Sequence, residues 1–407
     1  MMTRARLSIG VLLFCAALSG TTAFARRDAS HADRFDTDIP TTLVTLPYDS
    51  EGLTVDPDTQ TIYTAEAPDA SGDCVVHSVT MGGVVSFVGV VPKPAGPCAP
   101  RGLEFRAGHL YIADQGTGAN GWVFEMNIAT GVATTFAADV AGANGIAFDS
   151  QGNLWITDGL RGLGRVYRRD AATGVVLEAF RVPPVSNGTI NGGLLGVPAS
   201  TGIGRQILNL PVGPIGEVKA VANGVAVVER HSEMPPGAAH FGIVYVADTA
   251  RGAIWAVRLD HHRNVVPGQT GCDSTLQADT LCEDALFVAH PRLEGADGLW
   301  ADADGTLLVA ANGRQGMVRV DRWANVIELF RNPVNAQLLR SSADSSEGDR
   351  HILEYPTSPV IVPGARRHGE RTLCVTSTDR PGRDNWPGTV GEIGGPGQNK
   401  GKISCFE

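Results

Sequence analysis

Four residues with oxygen-bearing side chains stand at the same place in a repeated motif, each directly before a glycine and an aliphatic residue. They are Glu51, Asn144, Asn223 and Asp297. Two carboxylates and two carboxamides suit a hard divalent cation, Ca²⁺ before Mg²⁺ or Mn²⁺. Such an ion, with one coordination position open, polarises a carbonyl group and lowers the pKa of a bound water. The motif therefore predicts a metal site that is capable of hydrolysis.

Arg101, which also precedes a glycine, and Ser358, which precedes Pro359, occupy the same register in two further copies of the repeat. Arg101 falls between Glu51 and Asn144, where its guanidinium group could orient a substrate carboxylate or stabilise an oxyanion. It could equally form an ion pair with Glu51 and block the cation. Substrate contact is favoured, because the other three ligands would still recruit a cation. A ring of purely structural polar residues is the remaining alternative.

The six motifs open six similar segments of the chain. In each, an alternating apolar strand, a polar turn and a second strand of β-branched and aromatic residues predict a hairpin, and further strands follow. Repeats of this length indicate an all-β, six-bladed β-propeller whose innermost strands aim one residue each into a common channel. A sustained helical period is absent from the sequence, which argues against a parallel sheet with crossover helices.

The N-terminal residues predict that the protein is exported. Residues 1–25 have a basic start, an apolar run and a small-x-small cleavage pattern, which is typical of a signal peptide. A polar leader at 26–40 and the propeller at 41–407 would follow, in a secreted or periplasmic protein. Three insertions interrupt the repeats, at 159–218, 229–241 and 261–290. They are expected to cap a pocket.

The charge excludes some partners. Loss of the two arginines in residues 1–25 takes the formal net charge from −10 to −12, which gives no electrostatic footprint for nucleic acid or an anionic membrane. No later apolar stretch is long enough to span a bilayer. The expected ligand is a small-molecule substrate, and a monomer is expected because a propeller closes its own strand edges.

Six cysteines remain after residue 25. An even number in an exported chain indicates disulfides. Nearest-neighbour pairing, one of 15 connectivities that six cysteines allow, would give Cys74–Cys98, Cys272–Cys282 and Cys374–Cys405. The third pair would tie the last strand to the final blade and help to keep the ring closed.

The motifs resemble those of the regucalcin/gluconolactonase group of six-bladed propellers, with strictosidine-synthase-like and NHL-repeat propellers as relatives. In that group a channel metal is held by a Glu, two Asn and an Asp. Those positions match Glu51 in SEGLTVD, Asn144 in ANGIAFD, Asn223 in ANGVAV and Asp297 in ADGLWAD. The resemblance covers most of the chain after the predicted signal peptide.

The resemblance implies hydrolysis of a lactone or similar ester. Asp297 would hold or deprotonate the attacking water, with Arg101 beside the reacting group. The sugar-lactone enzymes of the group have an Arg two residues before the first Asn and an Asp directly after it. This chain has Gly142 and Gly145 at those places, so the resemblance leaves the substrate open.

Acidic residues also end four of the second strands, at Glu66, Asp114, Asp158 and Asp248. Their expected role is local, since such side chains accept hydrogen bonds from the following turn. Asp158, which precedes the longest insertion, is the one expected to face the pocket. The other candidates for substrate contact are His240, Arg251 and Asn312.

Two other functions stay open at this point. One is a non-catalytic, NHL-like propeller that binds a protein or a glycan. The other is a lyase or condensing enzyme on the same scaffold, because a fold does not fix a function. A lyase would turn over substrates that lack a hydrolysable ester, whereas a binding protein would need no cation at all.

Overall fold

The computed structural model describes residues 39–69, 71–94, 96–116, 120–159, 163–183, 222–229, 241–302, 304–332, 353, 355–364, 371–378 and 401–406. All of them belong to one compact unit, Phe35–Glu407. The predicted signal peptide, nearly all of the predicted leader and His240 lie outside the described residues. The same holds for 184–218 and 230–240 of the predicted insertions.

Within the described part of the chain, 24 strands form six antiparallel sheets of four strands each. The first two blades are β2 (Ser50–Asp56), β3 (Thr61–Glu66), β4 (Val75–Val79), β5 (Val85–Val90) and β6 (Pro100–Arg106), β7 (His109–Asp114), β8 (Trp122–Asn127), β9 (Ala133–Ala137). The third and fourth are β10 (Ile146–Phe148), β11 (Leu154–Thr157), β12 (Arg165–Arg169), β13 (Val176–Arg181) and β14 (Val225–Glu229), β15 (Gly242–Asp248), β16 (Ala253–Leu259), β17 (Leu286–Ala289). The fifth is β18 (Ala296–Ala301), β19 (Leu307–Ala311), β20 (Gly316–Val320), β21 (Val326–Arg331). The sixth is β22 (Pro356–Val362), β23 (Thr372–Thr378), β24 (Gly401–Phe406) and β1 (Pro40–Thr45).

This arrangement is a six-bladed β-propeller, as the repeats predict. The described helical turns are three short 3₁₀ segments, Glu283–Ala285, Pro291–Leu293 and Asn312–Arg314. No helix among the described residues is long and apolar enough to cross a membrane. Part of the predicted insertion at 159–218 is regular structure, because β12 and β13 are the outer strands of the third blade.

The two ends of the propeller meet in the sixth blade. The first strand, β1, pairs with the last, β24, in antiparallel register from Pro40 opposite Phe406 to Thr45 opposite Lys402. The sixth sheet is therefore built from both ends of the domain, and its hydrogen bonds close the ring. Residues 1–25 and 26–38 would precede this closing strand.

All three predicted disulfides are present. They join Cys74 to Cys98, Cys272 to Cys282 and Cys374 to Cys405. The third links β23 to the neighbouring β24 inside the sixth blade, as expected for a bond that holds the last strand. Three disulfides are typical of a protein that folds in an oxidising environment outside the cytoplasm.

The hydrophobic core is divided into six clusters, and each cluster lies between two neighbouring blades. Between the third and fourth blades, for example, Trp155 and Phe180 meet Trp255 and Val244, and all four are fully buried. The other five clusters join the remaining pairs of neighbours, including the sixth blade to the first. Since every blade buries both faces against its neighbours, hydrophobic burial stabilises the closed ring as a whole.

Candidate functional site

The six motif residues lie at the start of the innermost strands and are called ring residues below. Glu51, Arg101, Asp297 and Ser358 stand near the beginnings of β2, β6, β18 and β22, while Asn144 and Asn223 precede β10 and β14 by two residues. Residues further along these six strands line a channel cavity of about 470 Å³. The innermost strands of the six blades therefore surround a common channel, and of the six ring residues Ser358 is among those that line this cavity.

The glycine after the ring residue allows neighbouring innermost strands to approach closely. A Cβ atom on Gly52, Gly102, Gly145, Gly224 or Gly298 would lie within 3.0 Å of a backbone carbonyl oxygen in the next blade. Two of these glycines also donate hydrogen bonds across the gap, Gly102 N–H to Asn144 O and Gly224 N–H to Asp297 O, both at 3.0 Å. The glycine of the motif is therefore required for the close packing of neighbouring innermost strands.

The amide of Asn223 is held from one side. Its Nδ2 donates to Thr249 Oγ1 at 3.0 Å, and the same hydroxyl donates to Ala296 O at 2.6 Å. The side-chain oxygen of Asn223 is buried and has no hydrogen-bond partner among the described residues. A buried carbonyl oxygen that accepts no hydrogen bond destabilises the folded state by about 1–3 kcal/mol. This oxygen is therefore suited to bind a cation.

Asp297 lies against Asn312 in the fifth blade. Asn312 Nδ2 donates to Asp297 Oδ2 at 2.8 Å, and the two side chains are almost completely buried. The other amide atom, Asn312 Oδ1, is buried with no hydrogen-bond partner within the described ranges. Asn312 was predicted to contact substrate, and the structure places it beside the predicted catalytic carboxylate.

Arg101 forms an ion pair with Glu51. Arg101 Nη1 donates to Glu51 Oε2, and Arg101 Nε donates to Gln115 Oε1 at 2.9 Å. The Arg101 and Glu51 side chains are only 12% and 14% exposed. They border a groove of about 230 Å³ whose other walls are mainly apolar. Of the two roles considered for Arg101, the ion pair with Glu51 is the one that the structure contains.

Three ring residues are contacted by the residue one place after the strand-end position that is acidic in four of the blades. Gln115, Thr249 and Asn312 hydrogen-bond to Arg101, Asn223 and Asp297 respectively. In the third blade this position is Gly159, where a Cβ atom would lie within 3.0 Å of the Asn144 side chain. Sequence analysis found Asn312 but missed Gln115 and Thr249, although all three share one column of the repeat, one residue after the acidic positions.

Two of the acidic residues that end the second strands, Asp114 and Asp248, act locally as predicted, whereas Glu66 accepts from Tyr48 N–H at 2.9 Å and pairs with His77. Asp114 Oδ1 accepts from Ala99 N–H and Gly116 N–H, each at 2.9 Å. Asp248 accepts from Arg251 N–H at 3.1 Å and from Arg251 Nη1 at 2.6 Å. Arg251, a predicted substrate contact, is thus a buried partner of Asp248.

Asp158 differs from the other strand-end acids. Its Oδ2 accepts from Arg165 Nε at 3.2 Å, while its Oδ1 is buried without a hydrogen-bond partner among the described residues. Burial raises the pKa of Asp158 to about 6, against the opposing effect of hydrogen bonds from Arg165. Asp158 is followed by Gly159, which abuts the side chain of the ring residue Asn144.

The four predicted ligands fit a hard cation by their chemistry. Asn144, Asn223 and Asp297 are each only 5% exposed, and one amide oxygen is without a partner. The described residues contain no cluster of three or more His, Cys, Asp or Glu that could hold a metal ion. A cation at the ring would therefore depend on the amide oxygens as well as on the two carboxylates.

Comparisons with known proteins find similar solved structures but no match by sequence. No protein-family model matches the chain. No curated protein matches it in sequence. The structure is similar to that of a calcium-binding regucalcin from Agrobacterium tumefaciens, with 19% identity over 83% of this chain and 85% of that one and a TM-score of 0.48.

Two further similar structures are of a gluconolactonase and of a lyase. A gluconolactonase from Xanthomonas campestris has 14% identity over 90% of this chain and 95% of its own, with a TM-score of 0.48. A virginiamycin B lyase from Staphylococcus aureus has 12% identity over 81% and 79%, with a TM-score of 0.43. The solved neighbours include members of the group that the ring motifs resemble, but at this distance they assign no activity.

Proposed function

We propose that this protein is an exported hydrolase of lactones or similar esters that holds a divalent cation among Glu51, Asn144, Asn223 and Asp297. The observation that carries the proposal is the buried, unpartnered side-chain oxygen of Asn223, at a ring position one blade before the carboxylate of Asp297. When bound, a hard divalent ion would polarise the carbonyl group of the substrate. Ca²⁺ suits these oxygen ligands best, before Mg²⁺ or Mn²⁺.

Asp297 is the proposed base. The hydrogen bond from Asn312 Nδ2 to Oδ2 fixes the orientation of its carboxylate, which would hold the attacking water and accept its proton. Because the pair is almost fully buried, the electrostatic interactions of Asp297 with a reacting group are stronger than they would be in bulk water.

Asp158 and Arg101 are the proposed substrate contacts beside the ring. Burial raises the pKa of Asp158 to about 6, so part of its population is protonated near neutral pH and able to donate a hydrogen bond. Arg101 borders the groove next to Glu51 and would orient an anionic or polar oxygen of the substrate.

The test is turnover of a panel of γ- and δ-lactones and aryl esters with added Ca²⁺, Mg²⁺ or Mn²⁺. We expect turnover by the wild type and a loss of at least about 100-fold in Asp297→Asn, since removal of a general base typically has this effect. Asp321→Asn, in an exposed turn of the same blade, is the matched control and should keep wild-type activity. Turnover that persists in Asp297→Asn would refute the proposed role of Asp297.

One observation favours a second candidate. The ion pair between Arg101 and Glu51 occupies a predicted metal ligand, as expected in a non-catalytic propeller that binds a protein or glycan partner. Such a protein would retain its fold and its partner without any divalent ion. Absence of turnover together with absence of divalent binding by the wild type would favour this candidate.

A further inference from the structure

The ion pair at the ring and the proposed cation compete for the same carboxylate. Arg101 Nη1 donates to Glu51 Oε2, and both side chains are largely buried. A guanidinium group cannot lose its proton in a protein. Two cations beside one carboxylate repel each other, and the repulsion is strong where water is largely excluded. A divalent ion at Glu51 would therefore displace Arg101.

The surroundings define where the displaced guanidinium can go. Gln115 Oε1 holds Arg101 Nε at 2.9 Å, which keeps the side chain beside the ring. The adjoining groove of about 230 Å³ is walled by Ala67, Pro68, Cys98, Ala99 and Pro100, with Asp49 as a further acidic residue. A buried guanidinium that has lost its carboxylate needs another anion, because an unpaired buried charge is strongly destabilising.

We propose that Glu51 exchanges Arg101 for the divalent ion, and that the released Arg101 then binds a carboxylate of the substrate in this groove. The inference rests on the proposed function, and it narrows the substrate class to lactones or esters that carry a carboxylate. Planar guanidinium and carboxylate groups form paired hydrogen bonds, which would fix the substrate beside the ring.

The exchange makes cation and anion binding interdependent. If a divalent ion frees Arg101 and so strengthens carboxylate binding, the carboxylate must strengthen binding of the ion by the same factor. Coupling between two sites commonly amounts to about 5- to 150-fold in affinity. Removal of the guanidinium group should tighten Ca²⁺ binding, because Arg101 then no longer competes for the Glu51 carboxylate, and should abolish the coupling.

The experiment is calorimetric titration of the full mature chain with Ca²⁺, alone and with saturating 4-hydroxybutyrate as the carboxylate probe. We expect Arg101→Gln to bind Ca²⁺ about tenfold more tightly than the wild type, with Arg101→Lys closer to the wild type. The matched control is Arg322→Gln, which removes the same charge from a turn where Arg322 lies 4.2 Å from the Trp323 ring. The probe should tighten Ca²⁺ binding in the wild type and in Arg322→Gln, but not in Arg101→Gln.

The outcomes separate this inference from the proposed function. Equal Ca²⁺ affinity in the wild type and in a folded Arg101→Gln would overturn the exchange and leave the hydrolase proposal standing. Tighter Ca²⁺ binding in Arg101→Gln, with no effect of the probe on the wild type, would overturn the proposal that the released Arg101 binds a substrate carboxylate. This result is expected if the released guanidinium group pairs with Asp49 instead. If neither protein binds Ca²⁺, Mg²⁺ or Mn²⁺, both proposals fail. Thermal unfolding of each variant reports whether it is folded.

Discussion

The orientation of two side-chain amides, those of Asn223 and Asn312, decides which polar atoms near the ring are left to bind a ligand. Asn223 and Asn312 each donate an N–H to a neighbour and keep a buried side-chain oxygen without a donor among the described residues. Arg101 is the counterpart, a cation that one carboxylate and one amide oxygen hold in place. The chemistry of the site therefore depends on hydrogen bonds from residues that are not ligands themselves.

Gly159 gives a test of how Asn144 is positioned. We predict that Gly159→Ala weakens Ca²⁺ binding by about tenfold, because its Cβ atom would displace the Asn144 side chain. Gly268→Ala is the matched control, since Gly268 also has a positive φ, 87°, but has no atom within 4 Å of the added methyl group. Gly268→Ala should lose about 1 kcal/mol of stability from strain at its positive φ, and Gly159→Ala should lose more, because its Cβ atom would also collide with Asn144. Equal Ca²⁺ affinities in the two, measured by calorimetry, would show that Asn144 is not a ligand.

Glu104 lines the channel further along the innermost strand of the second blade. Burial raises the pKa of its carboxyl group from 4.5 to about 7. The unfolded chain therefore loses this proton at lower pH than the folded protein, so the group destabilises the fold increasingly as pH rises from 4.5 to 7.

We predict that Glu104→Gln is more stable than the wild type at pH 8 by about 1–2 kcal/mol and equal to it at pH 4. This stability difference is smaller than the free energy that corresponds to the full pKa shift, because the Glu104 side chain is partly exposed to solvent. Urea unfolding at both pH values measures the difference. Glu283→Gln, which makes the same change at an exposed carboxylate, is the matched control. A stability difference that is the same at both pH values would contradict the assignment.

The innermost strands are spaced by their glycines. Five ring residues are followed by a glycine at which a side chain would collide with a backbone carbonyl oxygen of the next blade, so the starts of the innermost strands lie close together. The positions of the ring residues therefore depend on these glycines. Replacement of a glycine should change the spacing of two neighbouring blades and so move the ring residues that they carry.

We predict that Gly224→Ala destabilises the fold by at least about 2 kcal/mol, the range typical of overpacking at a rigid site. Its Cβ atom would lie within 3.0 Å of Asp297 O. Gly82→Ala is the control, because its nearest atom would be Thr80 Oγ1 at an ordinary 3.6 Å, and it should change stability by less than about 0.5 kcal/mol. Similar unfolding midpoints for the two variants would mean that neighbouring blades can move apart without any loss of stability.

Much of this arrangement is visible in the sequence. The fold could be predicted because strand period and turn residues recur in register, and the same register puts the four expected ligands at equivalent positions of their repeats. The hydrogen bonds of Gln115 and Thr249 could not, because their side chains are ordinary in type and matter only through their neighbours. The ion pair of Arg101 with Glu51 was an open alternative, since residue order places the two in adjacent blades without fixing the direction of either side chain.

The closed ring depends on the meeting of the two ends of the domain. The strand β1 completes the sixth blade by pairing with β24, and the disulfide Cys374–Cys405 fixes β24 to β23. The strand β1 went unrecognised as the outer strand of the last blade, because a single edge strand carries no repeat signal of its own. With both ends secured, all six interfaces between blades are formed at once.

We predict that Cys374→Ser/Cys405→Ser loses about 3–4 kcal/mol of stability in urea unfolding, from the loop entropy of a bond between residues 31 apart. Cys272→Ser/Cys282→Ser, which opens a bond between residues 10 apart, should lose about 1 kcal/mol less. A larger loss from the shorter loop would show that ring closure does not depend on the last disulfide.

The central claim is that the ring binds one divalent cation. The direct measurement is elemental analysis of the purified mature protein, equilibrated with Ca²⁺, Mg²⁺ and Mn²⁺ in turn, beside a Glu51→Gln/Asp297→Asn double variant. We predict one equivalent of bound divalent ion in the wild type and none in the double variant, with both folded by circular dichroism. A wild type that retains no divalent ion under any of these conditions would contradict the claim.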